Sequence, residues 1–178
     1  MAEQAQSQAK FGIRKIYLKD VSFESPQAPE IFIQSDLAPS IDVQIRIGHS
    51  VLNKETGFYE VVLTMTVTAK TGDRVTFLIE AQQAGVFEIL GVSDQELPLA
   101  LEVACPNALL PFAREAVSDF VAKGGFPQLL INPVNFEALY LQKQRKIQEG
   151  QTASQEESAG EVDDTKGAKS KPAKKKKR

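Results

Sequence analysis

The chain has 178 residues, with 23 acidic and 21 basic side chains and a formal net charge of −2. This length suffices for one domain with its own core, and the single cysteine, Cys105, excludes an intrachain disulfide. No segment approaches the ~18 consecutive apolar residues of a membrane-spanning helix, and Met1 to Lys10 lacks the apolar stretch of a secretory signal. We therefore expect a cytoplasmic protein.

Apolar and polar residues alternate in four stretches of the N-terminal half, as in β-strands with one buried face. The stretches span residues 11–24, 41–47, 59–68 and 75–82. Pro26 and Pro29 interrupt the chain after the first, and Thr71-Gly72-Asp73 predicts a hairpin turn before the fourth. Sequential strands joined by short turns predict an antiparallel meander.

Helical periodicity replaces the alternation after Gly91. Asn107 is a candidate N-cap for a helix that ends at Gly124-Gly125, with Pro111 delaying its start or kinking it. This helix carries one apolar stripe, made of Leu109, Ala113, Ala116, Val117, Phe120 and Val121.

Two prolines keep the apolar segment 126–133 out of a helix, and we interpret this segment as an extended crossover. Asn135 then caps a final helix that begins near Phe136. Strands followed by helices predict an α+β domain with the helices on one face of the sheet.

Beyond Glu149 almost nothing is available to bury, and the composition predicts disorder. We expect a flexible N-terminus at 1–10, one domain at 11–147 and a disordered tail at 148–178. Residues 166–178 carry eight basic and no acidic side chains. Because this run lacks interleaved aromatics, it predicts weak contact with anionic membranes rather than specific nucleic-acid binding.

Little in the sequence indicates catalysis. His49 is the single histidine, and a surface role is favoured over a place in a Ser-His-Asp triad. Cys105, beside Val103 and Ala104, is interpreted as a buried core residue rather than a nucleophile. Without a metal-ligand cluster or a glycine-rich phosphate loop, we expect no metal, no cofactor and no ATP hydrolysis.

Asp20 and Glu24 share one face of the first strand, and Leu78 and Glu80 share one face of the fourth. These carboxylates fit three interpretations: general acid and base groups, a solvated outer face of the sheet, or a docking patch for a basic partner. A solvated face is favoured over general acid and base groups, and the leucine beside two acids slightly favours a docking patch over an ordinary surface.

Several blocks of the sequence, in one order from about Phe11 to Tyr140, resemble the SecB family of export chaperones. The blocks are IYLKDVSFE at 16–24, YEVVL at 59–63, FLIE at 77–80, CPN at 105–107, PFARE at 111–115, FPQL at 126–129 and NPVNF at 132–136.

The resemblance implies a four-stranded antiparallel sheet with two main helices, assembled as a homotetramer that is a dimer of dimers. It also implies an ATP-independent holdase that binds unfolded secretory precursor proteins and delivers them to the ATPase SecA. The lysine-rich tail departs from the polar, often acidic tails of this family, so it does not support the secondary SecA contact of such tails.

The resemblance also assigns residues. It places SecA binding at Asp20, Glu24, Leu78 and Glu80, and tetramer assembly at Ile79, Ala81 and Gln83 on the other face of the fourth strand. A groove for unfolded clients needs aromatic and aliphatic walls. Its candidate lining residues, each equally interpretable as a core residue, are Phe77, Phe112, Phe126, Leu129, Phe136 and Tyr140.

Two other classes of function remain open. A small-molecule enzyme with an α+β cavity would need a polar catalytic group, for which His49 or Asp20 is a candidate. An interaction module outside export, such as a chaperone that controls a toxin and antitoxin pair, would use the same fold.

Overall fold

The computed structural model describes residues 9–33 and 38–159, with side chains through residue 148. It contains a four-stranded antiparallel sheet with helices on one face, which confirms the predicted α+β class. The strands are β1 (Lys10–Glu24), β2 (Ser40–Asn53), β3 (Phe58–Thr71) and β4 (Arg74–Leu90), and a 3-10 turn spans Glu30–Ile33. The helices are α1 (Glu96–Leu99), a π segment (Ala100–Ala104), α2 (Cys105–Lys123) and α3 (Phe136–Ala159).

The strand order is β1-β4-β3-β2. The predicted meander is therefore correct for β2, β3 and β4 but wrong for β1, which pairs antiparallel with β4 at the far side of the sheet. The tight turn at Gly72 joins β3 to β4, whereas the proline-containing segment and the 3-10 turn between β1 and β2 make no hairpin. This connection lets β1 lie against the last strand.

The two faces of the sheet differ in composition. Odd-numbered residues of β3, from Tyr59 to Ala69, are buried, and their β4 partners from Phe77 to Phe87 share that face. Helix α2 packs against this helix-side face through Leu109, Ala113, Val117 and Val121, as the apolar stripe predicts. The opposite, outer face carries the even-numbered residues, including Thr64, Thr66 and Thr68.

The predicted N-cap at Asn107 is wrong, because α2 continues without a break from α1 and the π segment. A capping box starts this longer helix: the Ser93 N–H and hydroxyl donate to the Glu96 carboxylate at 2.9 Å, and the Glu96 N–H donates back to Ser93 Oγ at 3.3 Å. The π segment ends just before Pro106, whose missing N–H already interrupts the α-helical hydrogen-bond pattern. Pro111 lies inside the helix.

The later expectations agree more closely with the structure. Helix α2 ends at Gly124, the segment from 127 to 135 forms neither helix nor strand, and the Ala138 N–H donates to Asn135 Oδ1 at 3.0 Å as an N-cap bond. Together these observations confirm the crossover and the cap of α3.

The chain divides into two compact units, Met1–Tyr140 and Leu141–Arg178. In the first, β1 already begins at Lys10, the last residue of the predicted flexible N-terminus. In the second, α3 continues to Ala159, past the predicted start of the tail at 148. Residues 160–178, which include the lysine-rich run and its predicted membrane contact, lie outside the described residues.

Candidate functional site

Four phenylalanines meet at one end of the helix-side face. Phe126, in the crossover that follows α2, lies at the centre of this cluster: its ring centroid is 4.9 Å from that of Phe77, 5.3 Å from Phe32 and 6.3 Å from Phe23. Phe23 and Phe77 stack on neighbouring strands with their centroids 6.0 Å apart. Aromatic pairs at such distances add to the free energy of burial. We call this group the phenylalanine cluster.

An apolar groove of about 440 Å³ opens beside the phenylalanine cluster. Three of the predicted lining residues, Phe77, Phe126 and Leu129, contribute to its wall. The 3-10 turn adds Phe32, which is 51% exposed, and Ile41 adds the first part of β2. The groove therefore presents aromatic and aliphatic surface to solvent, as a site for apolar segments requires.

The other predicted lining residues lie elsewhere. Phe112 is 44% exposed and lines a second cavity, of about 620 Å³, between β1 and α2. Phe136 is 1% exposed and belongs to the core, and it is not part of the wall of the groove beside the phenylalanine cluster. Tyr140 is half-buried and packs against the core.

Sequence reasoning missed Phe32 and Ile41 as groove residues. The apolar turn Glu30–Ile33 follows directly on the two prolines. Ile31 is buried, whereas Phe32 and Ile33 are exposed, and adjacent exposed apolar side chains in a connection between strands are a usable signal of an interaction surface.

The outer face brings together the four residues assigned to SecA binding. In the pairing of β1 with β4, Glu24 lies opposite Leu78, Ser22 opposite Glu80 and Asp20 opposite Gln82. Residues paired across antiparallel strands project from the same face. Asp20, Glu24, Leu78 and Glu80 therefore form one patch, which we call the acidic patch.

The carboxylates of the outer face differ in their partners. Lys19 Nζ donates to Glu60 at 2.8 Å and the Tyr17 hydroxyl donates to the same carboxylate. Lys10 and Arg14 both pair with Glu88. Hydrogen bonds from Lys19 and then Tyr17 hold the pKa of Glu60 below its ordinary value, and those from Lys10 and Arg14 do the same for Glu88.

The Glu60 cluster predicts a pH-dependent stability. Because the folded-state pKa of Glu60 is depressed, its contribution is complete above the unfolded-state pKa and is lost as the pH falls through the folded-state pKa. Glu60→Gln should lower the free energy of unfolding by about 1 kcal/mol at pH 7, the order of the net contribution of one hydrogen bond. In urea unfolding curves from pH 7 to 3, the difference from wild type should shrink below about pH 4.5.

Glu55→Gln, at an exposed position in the turn between β2 and β3, is the matched control and should match wild type at pH 7. A deficit of Glu60→Gln that is equally large at pH 7 and pH 3 would show that the charge of Glu60 does not stabilise the fold.

The residues assigned to tetramer assembly lie on the helix-side face. Ile79 and Ala81 have no accessible surface within one chain, and Gln83 is 4% exposed. Gln83 lines the second cavity together with Ser118, whose buried hydroxyl has no hydrogen-bond partner among the described residues. A role for Ile79, Ala81 and Gln83 in assembly stays a prediction, although within one chain all three side chains are buried.

Of the residues considered for catalysis, Asp20 belongs to the acidic patch, whereas Cys105 and His49 belong neither to this patch nor to the wall of the groove. Cys105 is fully buried, and burial raises the pKa of its thiol to about 12, so it is a core residue and no thiolate nucleophile. His49 is exposed on β2. Among the described residues, no group of histidine, cysteine and carboxylate side chains is arranged to hold a metal ion, and no helix is long and apolar enough to cross a membrane.

Comparison with known proteins is consistent with this architecture. A SecB-like chaperone of Mycobacterium tuberculosis, solved in complex with a ChAD peptide from an antitoxin, superposes with a TM-score of 0.59 at 18% identity, over 70% of this chain and 90% of that chain. This likeness concerns the fold.

Sequence relatives are much closer. The protein-export protein SecB of Methylobacillus flagellatus is 47% identical over 79% of this chain and 88% of the relative. The protein of the same description from Nitrosococcus oceani is 49% identical over 83% of this chain and 88% of the relative. The family model described as preprotein translocase subunit SecB matches residues 4–147. The chain belongs to the SecB family of protein-export chaperones.

Proposed function

We propose that the chain is an ATP-independent, non-enzymatic holdase that binds unfolded secretory precursors in the cytoplasm and passes them to SecA. The observation that carries this proposal is the groove beside the phenylalanine cluster. The walls of the groove are apolar and partly exposed, although 25% of the residues in the chain are charged. Apolar surface that remains exposed favours a groove that binds an apolar ligand over one with a purely structural role.

The groove suits an unfolded segment rather than a compact small molecule. Its wall consists mostly of apolar side chains, with Thr76 and Gln128 among the few polar ones, so it offers few groups that would select one ligand by hydrogen bonding. Ile41 extends the wall onto β2, one of the two edge strands of the sheet, whose outer backbone groups have no partner strand within the described part of the chain. Exposed apolar side chains and a free strand edge are features that recognise extended polypeptide of varied sequence.

The acidic patch supports delivery to a basic surface of SecA. The side chains of Glu24 and Asp20 make no hydrogen bond or ion pair to the rest of the described chain, so their charges are available to a partner. Leu78 is partly buried, lies opposite Glu24 and is two residues from Glu80 on the same face, so it adds apolar contact at one end of the acidic patch. Opposite charges beside an apolar contact guide association and fix the orientation of docking.

Assembly as a homotetramer would place several grooves within reach of one long client. Contacts that are weak singly then add through effective concentration. Exposed apolar side chains on β1 and α2, namely Phe11, Ile13, Leu18 and Phe112, support burial against another copy.

The direct test is the refolding of a chemically denatured secretory precursor without ATP, followed with and without this protein, together with its mass by light scattering. We expect refolding to be arrested by a species of roughly four chain masses, and SecA to relieve the arrest. A monomer that leaves the refolding rate unchanged would refute the holdase proposal.

A further inference from the structure

The cations of the outer face are distributed unequally among its carboxylates. Lys10 and Arg14 are occupied by Glu88, and Lys19 is occupied by Glu60. Of the acidic patch, only Glu80 has a cationic partner among the described residues, and this partner is Arg46. Arg46 is thus the cation placed to change the charge of the acidic patch.

Arg46 reaches Glu80 from two strands away. It lies on the edge strand β2, opposite Thr64 of β3, and its Nη2 donates to Glu80 Oε2 at 3.1 Å. Thr66 Oγ1 of β3 donates to the same oxygen at 2.9 Å. Glu80 Oε1 accepts no hydrogen bond within the described chain, so it remains available to a partner.

The solvent exposure of the Arg46–Glu80 ion pair determines how much free energy the pair contributes. The Arg46 side chain is 71% exposed and that of Glu80 is 32% exposed. Exposed ion pairs contribute little net free energy and weaken with salt, so a basic segment of a partner can replace the guanidinium at little cost. While Arg46 remains, however, it repels such a segment.

We propose that Arg46 attenuates the docking of a basic partner on the acidic patch by neutralising Glu80. This inference rests on the proposed function, since it assumes that the acidic patch is a docking site. The three carboxylates of the patch carry a formal charge of −3, and Arg46 reduces the local charge to −2. Removing this one positive charge should therefore strengthen association with a basic surface.

The test measures the affinity of purified SecA for the full-length chain by calorimetry or interferometry at two salt concentrations. Arg46→Gln should bind SecA about two- to fivefold more tightly at low salt, the scale of one exposed charge, with a smaller gain at physiological salt. Arg46→Lys keeps the charge and should bind like wild type. Lys54→Gln makes the same charge change in the exposed turn at the end of β2 and should leave the affinity unchanged.

A weaker affinity of Arg46→Gln for SecA would overturn the inference. If Arg46 serves to orient Glu80 for the partner, Arg46→Gln binds SecA more weakly, and an unchanged affinity would equally exclude attenuation.

Thr66→Val separates the orientation of Glu80 from its charge, because this change removes the second hydrogen bond to Glu80 without altering the charge of the protein. If charge reversal of Glu24 and Glu80 weakens SecA binding but Arg46→Gln has no effect, only the attenuation fails; if neither has an effect, the docking assignment fails with it.

Discussion

Replacing Phe126 by alanine is expected to weaken the binding of an unfolded precursor by about tenfold or more, the effect typical of a central aromatic at an interface. Phe126 contacts the three other rings of the phenylalanine cluster and also lines the groove, so its removal takes away wall and support together. The dissociation constant of a labelled, chemically denatured precursor, measured by fluorescence anisotropy, checks this expectation.

Two further variants separate loss of binding from loss of folding. Phe32→Ala removes a half-exposed ring of the same groove, and it should weaken binding while costing less stability. Leu130→Ala is the matched control, because Leu130 follows a groove residue directly but is 79% exposed and is not part of the groove wall. Wild-type affinity in both Phe126→Ala and Phe32→Ala would move the client site away from this groove.

The strands and their faces were predictable from the sequence because the side-chain period of a strand is two. Val61, Leu63, Met65 and Val67 are buried and the threonines between them face outward, as the alternation indicates. The same rule placed Asp20 with Glu24 on one face of β1, and Leu78 with Glu80 on one face of β4. Their adjacency depends on β1 pairing with β4, and no local pattern encodes that choice of partner strand.

The helical region shows a second kind of limit. Ser93 and Glu96 form a capping box that is readable in the sequence, whereas Asn107 as a candidate N-cap and Pro111 favour a later start of the helix. Apolar burial of Leu101, Val103 and Leu109 on the sheet outweighs the hydrogen bonds that the prolines forgo. Tertiary packing, rather than local propensity, therefore sets the start of this helix.

The apolar character of the groove was predictable from the sequence, but only some of its lining residues were. Phe77 and Phe126 meet because the crossover after Gly124 returns to the start of β4, a contact between residues 49 positions apart. Phe136 has the same residue type and lies in the core. Residue type alone does not distinguish a groove wall from a core, because both need apolar surface.

Reversing the charge of Glu24 and Glu80 together is expected to weaken SecA binding by at least tenfold at low salt while leaving precursor affinity unchanged. The double change turns the formal charge of the three patch carboxylates from −3 to +1, so a basic surface is repelled rather than attracted. Because the acidic patch lies on the outer face and the groove on the helix-side face, the two binding activities should separate.

The matched control is Glu55→Lys with Asp73→Lys, which makes the same overall change of charge in the exposed turns at the two ends of β3. Long-range attraction depends on the net charge of the protein, whereas binding at a docking site depends on where the charges lie. Comparing the two double variants distinguishes these two effects. If both double variants weaken SecA binding equally, the effect is one of net charge and the acidic patch is not a specific site. If only Glu24→Lys with Glu80→Lys does so, position decides, and the increase in the dissociation constant should diminish as salt screens the exposed charges.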